Sequence, residues 1–263
     1  MSANFRIELR FDDDTLADFR SAFQRAADHW ARCIVANLPE VDLGDGTRTD
    51  GVVIDVQLVR MDGPGGVLGR AGPTLLRPPT AGTAAYLPAA GEMLFEPEDL
   101  DALAHDGRLD ALICHEMGHV LGIGTDVWLK KGLVDSYGTA DPTFRGPNAM
   151  REYGALLRRS AFPVPLENRG GIGVANVHWR ENIFGSELMS SYVIGTTFPT
   201  SRVTLASLVD IGYAVDLGRA EPYELPRQKF IDRLFRRHPQ HDVTVLPSEP
   251  SMLPDEAVIA PTN

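Results

Sequence analysis

Cysteine is scarce. The chain of 263 residues has two, Cys33 and Cys114. Two thiols cannot form a disulfide framework, and both are expected to be reduced and packed. Long apolar runs are missing as well. Nothing approaches the ~20 residues a spanning helix needs, which excludes an integral helical membrane protein. Positive charge is short: 25 Lys and Arg stand against 36 Asp and Glu, a net charge of -11. Such a chain repels phosphate backbones, so nucleic acid is not expected as a partner. No basic cluster followed by an apolar stretch marks a secretory leader. As written, the chain reads as cytoplasmic or as exported by a non-classical route. What is present is ordinary for a globular protein, 43% hydrophobic and 23% charged. The length suits one domain, or two lobes sharing a cleft. Nothing in the sequence sets an oligomeric state.

Hydrophobic spacing outlines the elements. Residues 5–11 alternate apolar and polar like a strand. Asp12-Asp13-Asp14-Thr15 reads as a helix start, and Leu16, Phe19, Phe23, Ala26, Trp30 and Ile34 recur at the three-and-four spacing of an amphipathic helix ending before Pro39. Val52 to Val59 reads as a buried strand. The Gly- and Pro-rich stretch 62–91 predicts short, irregular strands at a sheet edge, and Met93-Leu94-Phe95 one more. A helical segment follows from Pro97 to near Gly107, and another from Leu109 to Leu121. This order of elements predicts an α+β or α/β lobe. Residues 125–177 predict loop with one helix, Asn148 to Arg159. Asn168-Arg169-Gly170-Gly171-Ile172-Gly173 imitates a phosphate loop but lacks the preceding buried strand and a following Lys-Ser/Thr, so it reads as a flexible loop. Val203 to Ile211 predicts a short helix. In the tail, Phe230, Ile231, Leu234 and Phe235 share one helical face amid Arg227, Lys229, Arg233, Arg236 and Arg237. The last ~20 residues, rich in Pro, Ser and acids, are expected to be disordered.

The strongest local pattern is His115-Glu116-Met117-Gly118-His119 inside the helix Leu109–Leu121. Residues four apart project from one helical face, so two imidazoles can grip one ion. Glu116 lies on the same side and can reach a water held by that ion without being a ligand. Zinc suits such a donor set, with neutral imidazoles at ~2.0–2.1 Å and one open position. With seven histidines and Glu at roughly one residue in twenty, chance produces this pattern in roughly 1 chain in 100. Requiring Gly122 as well brings that near 1 in 1000. A buried helix with two incidental histidines would explain Ile113, Met117, Val120 and Leu121. It would not explain three polar side chains together on the remaining face, where burial without partners is costly.

Two histidines leave such a site one ligand short. Gly122 lets the chain leave the helix sharply and bring a distant segment beneath the metal. In the short metzincin motif position 125 would hold a histidine; here it is Thr125. His178 is the best candidate, ahead of His29, His105, His238 and His241, which read as surface residues. A Glu third ligand, Glu181 or Glu187, is the competing arrangement of another metal-dependent hydrolase. A zinc kept only for stability is a third reading, but it has no use for Glu116. Met189 follows His178 by eleven residues and can form an apolar floor beneath a metal triangle, although ordinary core would also use a Met there. Tyr192 is a candidate hydroxyl for the oxyanion, against the ordinary reading of a packed Tyr.

Taken together, His115-Glu116-x-x-His119-x-x-Gly122, then His178-Trp179-Arg180-Glu181, then Glu187-Leu188-Met189 resemble the leishmanolysin branch of the metzincin metallopeptidases, in its bacterial leishmanolysin-like form. Ser201 to Tyr213 is similar to the helix that follows the Met-turn there. The similarity spans roughly residues 5–217. It implies a metzincin-like zincin fold of the α+β class. The N-terminal lobe, about 1–124, would carry a twisted mixed sheet and two long helices. A smaller loop-rich C-terminal lobe, about 125–217, would close a zinc cleft between them. Residues 218–263 would be a tail with a basic amphipathic helix. The implied activity is zinc endopeptidase, with one catalytic Zn2+ on His115, His119 and His178. Glu116 would be the general base and Met189 the Met-turn residue. A protein or peptide substrate would lie extended along an edge strand drawn from residues 66–90. Secreted members carry a signal peptide and pro-segment, and the eukaryotic ones dense disulfides; neither pattern is visible in this sequence.

Overall fold

The structure is a computed structural model. It describes residues 5–12, 16–61, 69–171, 173–191, 197–226, 253 and 257–259.

The first half builds a four-stranded sheet with helices packed on it. Strand β1 (Ile7–Phe11) leads to helix α1 (Arg20–Cys33), a short hairpin of β2 (Val41–Asp42) and β3 (Arg48–Thr49), and then strands β4 (Val52–Leu58), β5 (Gly69–Leu76) and β6 (Pro88–Phe95). The sheet order is β1-β4-β6-β5. The first three run parallel, and β5 lies antiparallel to β6 at the edge. The near-continuous burial at the start of β4 is that of a strand covered on both faces. Helices α2 (Pro97–His105) and α3 (Leu109–Val120) follow. Helix α1 packs on β1, α3 packs on β5 and β6, and the two helices pack on each other. Phe23 of α1 joins helix to sheet, meeting Phe11 and Phe95 edge-on at 5.6 and 5.5 Å.

Two elements differ from the periodicity. Helix α1 starts at Arg20, with Phe19 as its uncapped N-terminal residue, rather than at the acidic run. Leu16 is buried all the same, in a turn ahead of the helix; Asp13, Asp14 and Thr15 lie outside the described residues. The expected three-residue strand at Met93 is the end of an eight-residue one. Its first half, Pro88-Ala89-Ala90-Gly91, carries none of the β-branched residues that mark strands. Gly91 is there because α3 lies so close: a Cβ would stand 2.5 Å from a Val120 methyl.

After Gly124 come short elements: α4 (Asp126–Lys130), β7 (Val134–Asp135), β8 (Thr143–Phe144), α5 (Pro147–Leu156), β9 (Val164–Pro165), α6 (Glu181–Phe184) and α7 (Arg202–Ile211). The last three strands form a small sheet of order β7-β8-β9 within the stretch expected to be loop. Two-residue strands leave no period in the sequence. Their core is aromatic. Trp179 stacks on Trp128 at 5.3 Å and on Phe184 at 5.8 Å, with Phe144 edge-on at 5.7 Å. All four side chains are essentially inaccessible.

The mixed sheet and its helices bear out the α+β class. Beyond Leu217 the chain still touches the body. The Tyr223 hydroxyl donates to the Phe184 carbonyl at 2.6 Å, and Glu221 and Thr200 exchange two bonds. Further on, the Leu253 N–H donates to Asp126 at 2.7 Å, and Val258 pairs with Leu76 at the end of the edge strand. The basic stretch 227–237 lies outside the described residues. Both cysteines are free thiols, and burial pushes the Cys33 thiol up to about 11. No helix among the described residues is long and apolar enough to cross a membrane.

Candidate metal centre

Helix α3 presents His115, Glu116 and His119 on one buried face. It ends in a Schellman turn. Gly122 takes φ +102°, the Ile123 N–H donates to the Gly118 carbonyl at 3.1 Å, and the Gly122 N–H donates to the His119 carbonyl at 2.9 Å. That turn also orients a histidine, because it aims the Ile123 carbonyl at His119 Nδ1, 2.8 Å away. Two residues on, Gly124 at φ +68° lets the chain press on the segment before His178. A Cβ there would stand 1.9 Å from the Val177 carbonyl oxygen.

His178 reaches the same place from a turn. Its neighbour Trp179 pairs with Leu166 on one side and Ser190 on the other, and its N–H donates to the Met189 carbonyl at 3.0 Å. The pairing brings the His178 and Met189 segments side by side beneath α3. Gly118 makes room there. A Cβ on it would meet Met189 Sδ at 2.8 Å and Trp30 at 3.2 Å. Leu188, next to Met189, offers its carbonyl to His115 Nδ1 at 2.6 Å.

The three imidazoles therefore converge. Their Nε2 atoms are 3.0 Å apart for His115–His119 and 3.2 Å for each pair with His178. Each Nδ1 faces a backbone carbonyl: Leu188, Ile123 and, for His178, Val174 at 2.9 Å. A carbonyl only accepts, so each Nδ1 carries the hydrogen and each neutral ring leaves Nε2 as a lone pair. Three lone pairs at this distance repel unless a cation lies between them. Three corners of a tetrahedron with bonds of ~2.0–2.1 Å stand about 3.3 Å apart, close to the spacing found. Among the described residues, His115, His119 and His178 are the one group of His, Cys, Asp and Glu close enough to share an ion.

Burial sets the charges. It pushes His115 down to about 3, with His178 as the second cause, and His178 down to about 4; His119 lies well below the ordinary range for burial and for its two neighbours. All three are neutral at pH 7, as metal ligands must be. Glu116 is fully buried with neither carboxylate oxygen paired, and burial raises it to about 8. An unpaired buried carboxylate is expensive, and groups so perturbed cluster at functional sites.

These values give a signed expectation for the metal-free protein. Below about 6.5 the unfolded chain takes up imidazole protons that the folded one refuses, so stability falls as pH drops toward 4. Glu116 acts oppositely, holding a proton when folded between its ordinary 4.5 and about 8. So do Glu187, Asp210 and Asp55, which burial raises, while burial lowers His29 along with the three imidazoles, so the imidazole share is read by substitution. Urea unfolding between pH 4.5 and 6.5 should show that share as the difference in slope between wild type and variant. His119→Gln should remove up to about 1.4 kcal/mol per pH unit from the slope. An unchanged slope would refute the assignment.

Glu181 and Glu187 do not join the imidazoles. Glu187 accepts from the Met189 N–H at 2.7 Å, the Ser201 N–H at 3.0 Å and the Thr204 hydroxyl at 2.5 Å, so it braces the turn that carries Leu188 and Met189. His29 is bonded elsewhere, to the Thr200 hydroxyl at 2.9 Å. Tyr192, His238 and His241 lie outside the described residues. Sequence reasoning missed Gly118, Gly124 and Glu167. The pair of glycines two apart, straight after the motif, is a readable signal for Gly124. Glu167 has none, since it stands in a loop without periodicity.

The buried group of His115, His119 and His178 could hold a metal ion, and the unpaired, buried Glu116 carboxylate belongs to the same helix as the first two. The family model for leishmanolysin, peptidase M8, matches residues 84–229, more than half of the chain. The chain belongs to the leishmanolysin family of zinc metallopeptidases. No curated protein matches it in a sequence search.

Proposed function

We propose that the chain is a zinc endopeptidase in which His115, His119 and His178 hold one ion and Glu116 is the general base. The observation that carries this reading is the meeting of three Nε2 lone pairs, with the buried, unpaired Glu116 carboxylate next in sequence to His115. In the proposed architecture, of the metzincin type, residues 1–124 and 125–217 form two lobes about a cleft, and residues 218–263 are a tail. Met189 is the Met-turn floor, supported by its packing under Gly118, where a Cβ would stand 2.8 Å from the Met189 sulfur. Tyr192 remains the candidate hydroxyl for the oxyanion.

Bound zinc supplies a Lewis acid that polarises the scissile carbonyl and acidifies a water. The chain's residues do the rest. Glu116 takes the attacking water's proton and passes it to the leaving amine nitrogen. Burial lifts Glu116 to about 8, and a dication held by the three imidazoles would oppose that lift. The extended peptide pairs with β5, at whose start Gly69 lies over the glutamate: a Cβ there would stand 3.5 Å from Glu116 Cγ.

Reconstituted protein should hold about one zinc per chain, and chelation should abolish peptide hydrolysis until zinc is returned. Digesting a denatured proteome and sequencing the products tests endopeptidase activity and specificity together. Release of terminal residues alone, or far less than one zinc per chain, would refute the proposal.

A further inference from the structure

His115 and His119 are held by a helical hydrogen-bond ladder. The third imidazole is not. His178 ends the turn 173–178 and precedes a four-residue helix. Its ring bonds to Val174, four residues back in the same turn, so that bond ties the loop only to itself. Each free backbone residue costs about 1–2 kcal/mol to fix, so a loop ligand needs anchors in the surrounding body. Trp179 supplies one anchor. We propose that Glu167 supplies another, as a positioning residue that fixes the His178 loop in its metal-binding arrangement. This rests on reading His178 as a ligand.

Glu167 is 3% exposed. Its main chain brackets the histidine: the Glu167 N–H donates to the His178 carbonyl at 2.9 Å, and its carbonyl accepts from the Asn176 N–H at 2.8 Å. Its carboxylate reaches past the histidine on the far side. Oε2 accepts from the Glu181 N–H at 2.8 Å and from the Ser191 hydroxyl at 3.2 Å. Oε1 accepts from the Asn168 and Arg169 N–H groups at 2.9 and 3.0 Å. One residue thus gathers the chain before, at and after His178, together with the segment just beyond Met189. The turn that imitates a phosphate loop holds an internal anion instead. Four donors offset much of the cost of burying that charge. Outer partners of this kind typically change metal affinity 10–100-fold.

A carboxylate that merely shaped the Asn168–Gly171 turn would make the same Oε1 bonds, so the test must read the metal geometry. Glu167→Gln keeps size but offers its oxygen to one pair of donors and sets an NH2 against the other. Zinc affinity by dye competition should fall 10–100-fold. In cobalt-substituted protein, the visible d–d bands of the folded fraction should shift in position and intensity. A residue with only a general folding role would lower the unfolding midpoint and leave those bands alone. Wild-type bands with zinc affinity within threefold would overturn the proposal. Ser191→Ala, which breaks one tie, keeps the test decisive if Glu167→Gln does not fold. It should weaken zinc by about threefold to tenfold and shift the bands slightly, and wild-type behaviour would count against the proposal as squarely. His178→Ala run alongside separates the failures. If it binds zinc normally, the ligand reading has failed. If it loses zinc while both other variants behave as wild type, only the role of Glu167 has.

Discussion

Glu116→Ala is expected to keep its zinc and lose nearly all turnover. The side chain is not one of the three converging donors, so the ligand set survives its removal. What goes is the group that moves the proton, a loss on the order of 10²–10⁴ in kcat by itself. KM should move little, because the carboxylate is buried on the helix and acts on the reacting atoms. A second consequence separates this variant from a damaged one. Both Glu116 oxygens are buried without partners, so the folded metal-free protein bears their desolvation cost near neutral pH. Removing them should leave the metal-free protein at least as stable at pH 8 as the wild type, against the trend for buried substitutions. Casein digestion, zinc analysis and urea unfolding read the three effects. Wild-type cleavage rates, or loss of zinc with activity, would show that Glu116 has another role.

His178→Ala should lose metal and activity together. Two imidazoles on one helix remain, and the loop that completes the triangle is then tied to α3 by protein contacts alone. Zinc affinity should fall by more than the 10–100-fold typical of an outer partner. The variant should also forfeit metal-linked stability, which for a ligand at about 1,000 times its Kd amounts to about 4 kcal/mol. Glu181→Gln should keep near-stoichiometric zinc, since its carboxylate is not in the group. Glu187→Gln should still fill with zinc at saturation, because that carboxylate is committed to Met189, Ser201 and Thr204 rather than to the ion, although loosening the turn that carries Leu188 should lower the affinity. Retained affinity in His178→Ala with loss in either glutamate variant would restore the carboxylate-ligand alternative. Competition with a zinc-sensitive dye decides between them.

Much of the site was legible because helical geometry is local. Four-residue spacing alone puts His115 and His119 on one face, and Gly122 alone signals a left-handed exit; the Schellman turn at φ +102° is what that glycine allows. His178 was legible more weakly, by elimination and by resemblance, since no local rule links it to residues 63 and 59 positions earlier. The elements missed share one property: their reason lies across the fold. Gly91 is a glycine because Val120 lies against it, and Gly124 because Val177 does. The small sheet β7-β8-β9 is made of two-residue strands held by an aromatic core, too short to imprint a period.

The sequence by itself determined the donor types, the helix that carries two of them, the acidic balance and the zinc peptidase family. These depend on composition and on spacings of a few residues, which backbone geometry converts directly into direction. Only the tertiary structure decided that the third imidazole closes to 3.2 Å on the first two, and that the Leu188, Ile123 and Val174 carbonyls set the tautomers. It alone shows that Glu167 and Glu187 brace the two segments beneath the helix. Those arrangements are fixed by close packing and by the cost of leaving buried polar groups unpaired, and both depend on which distant segments meet.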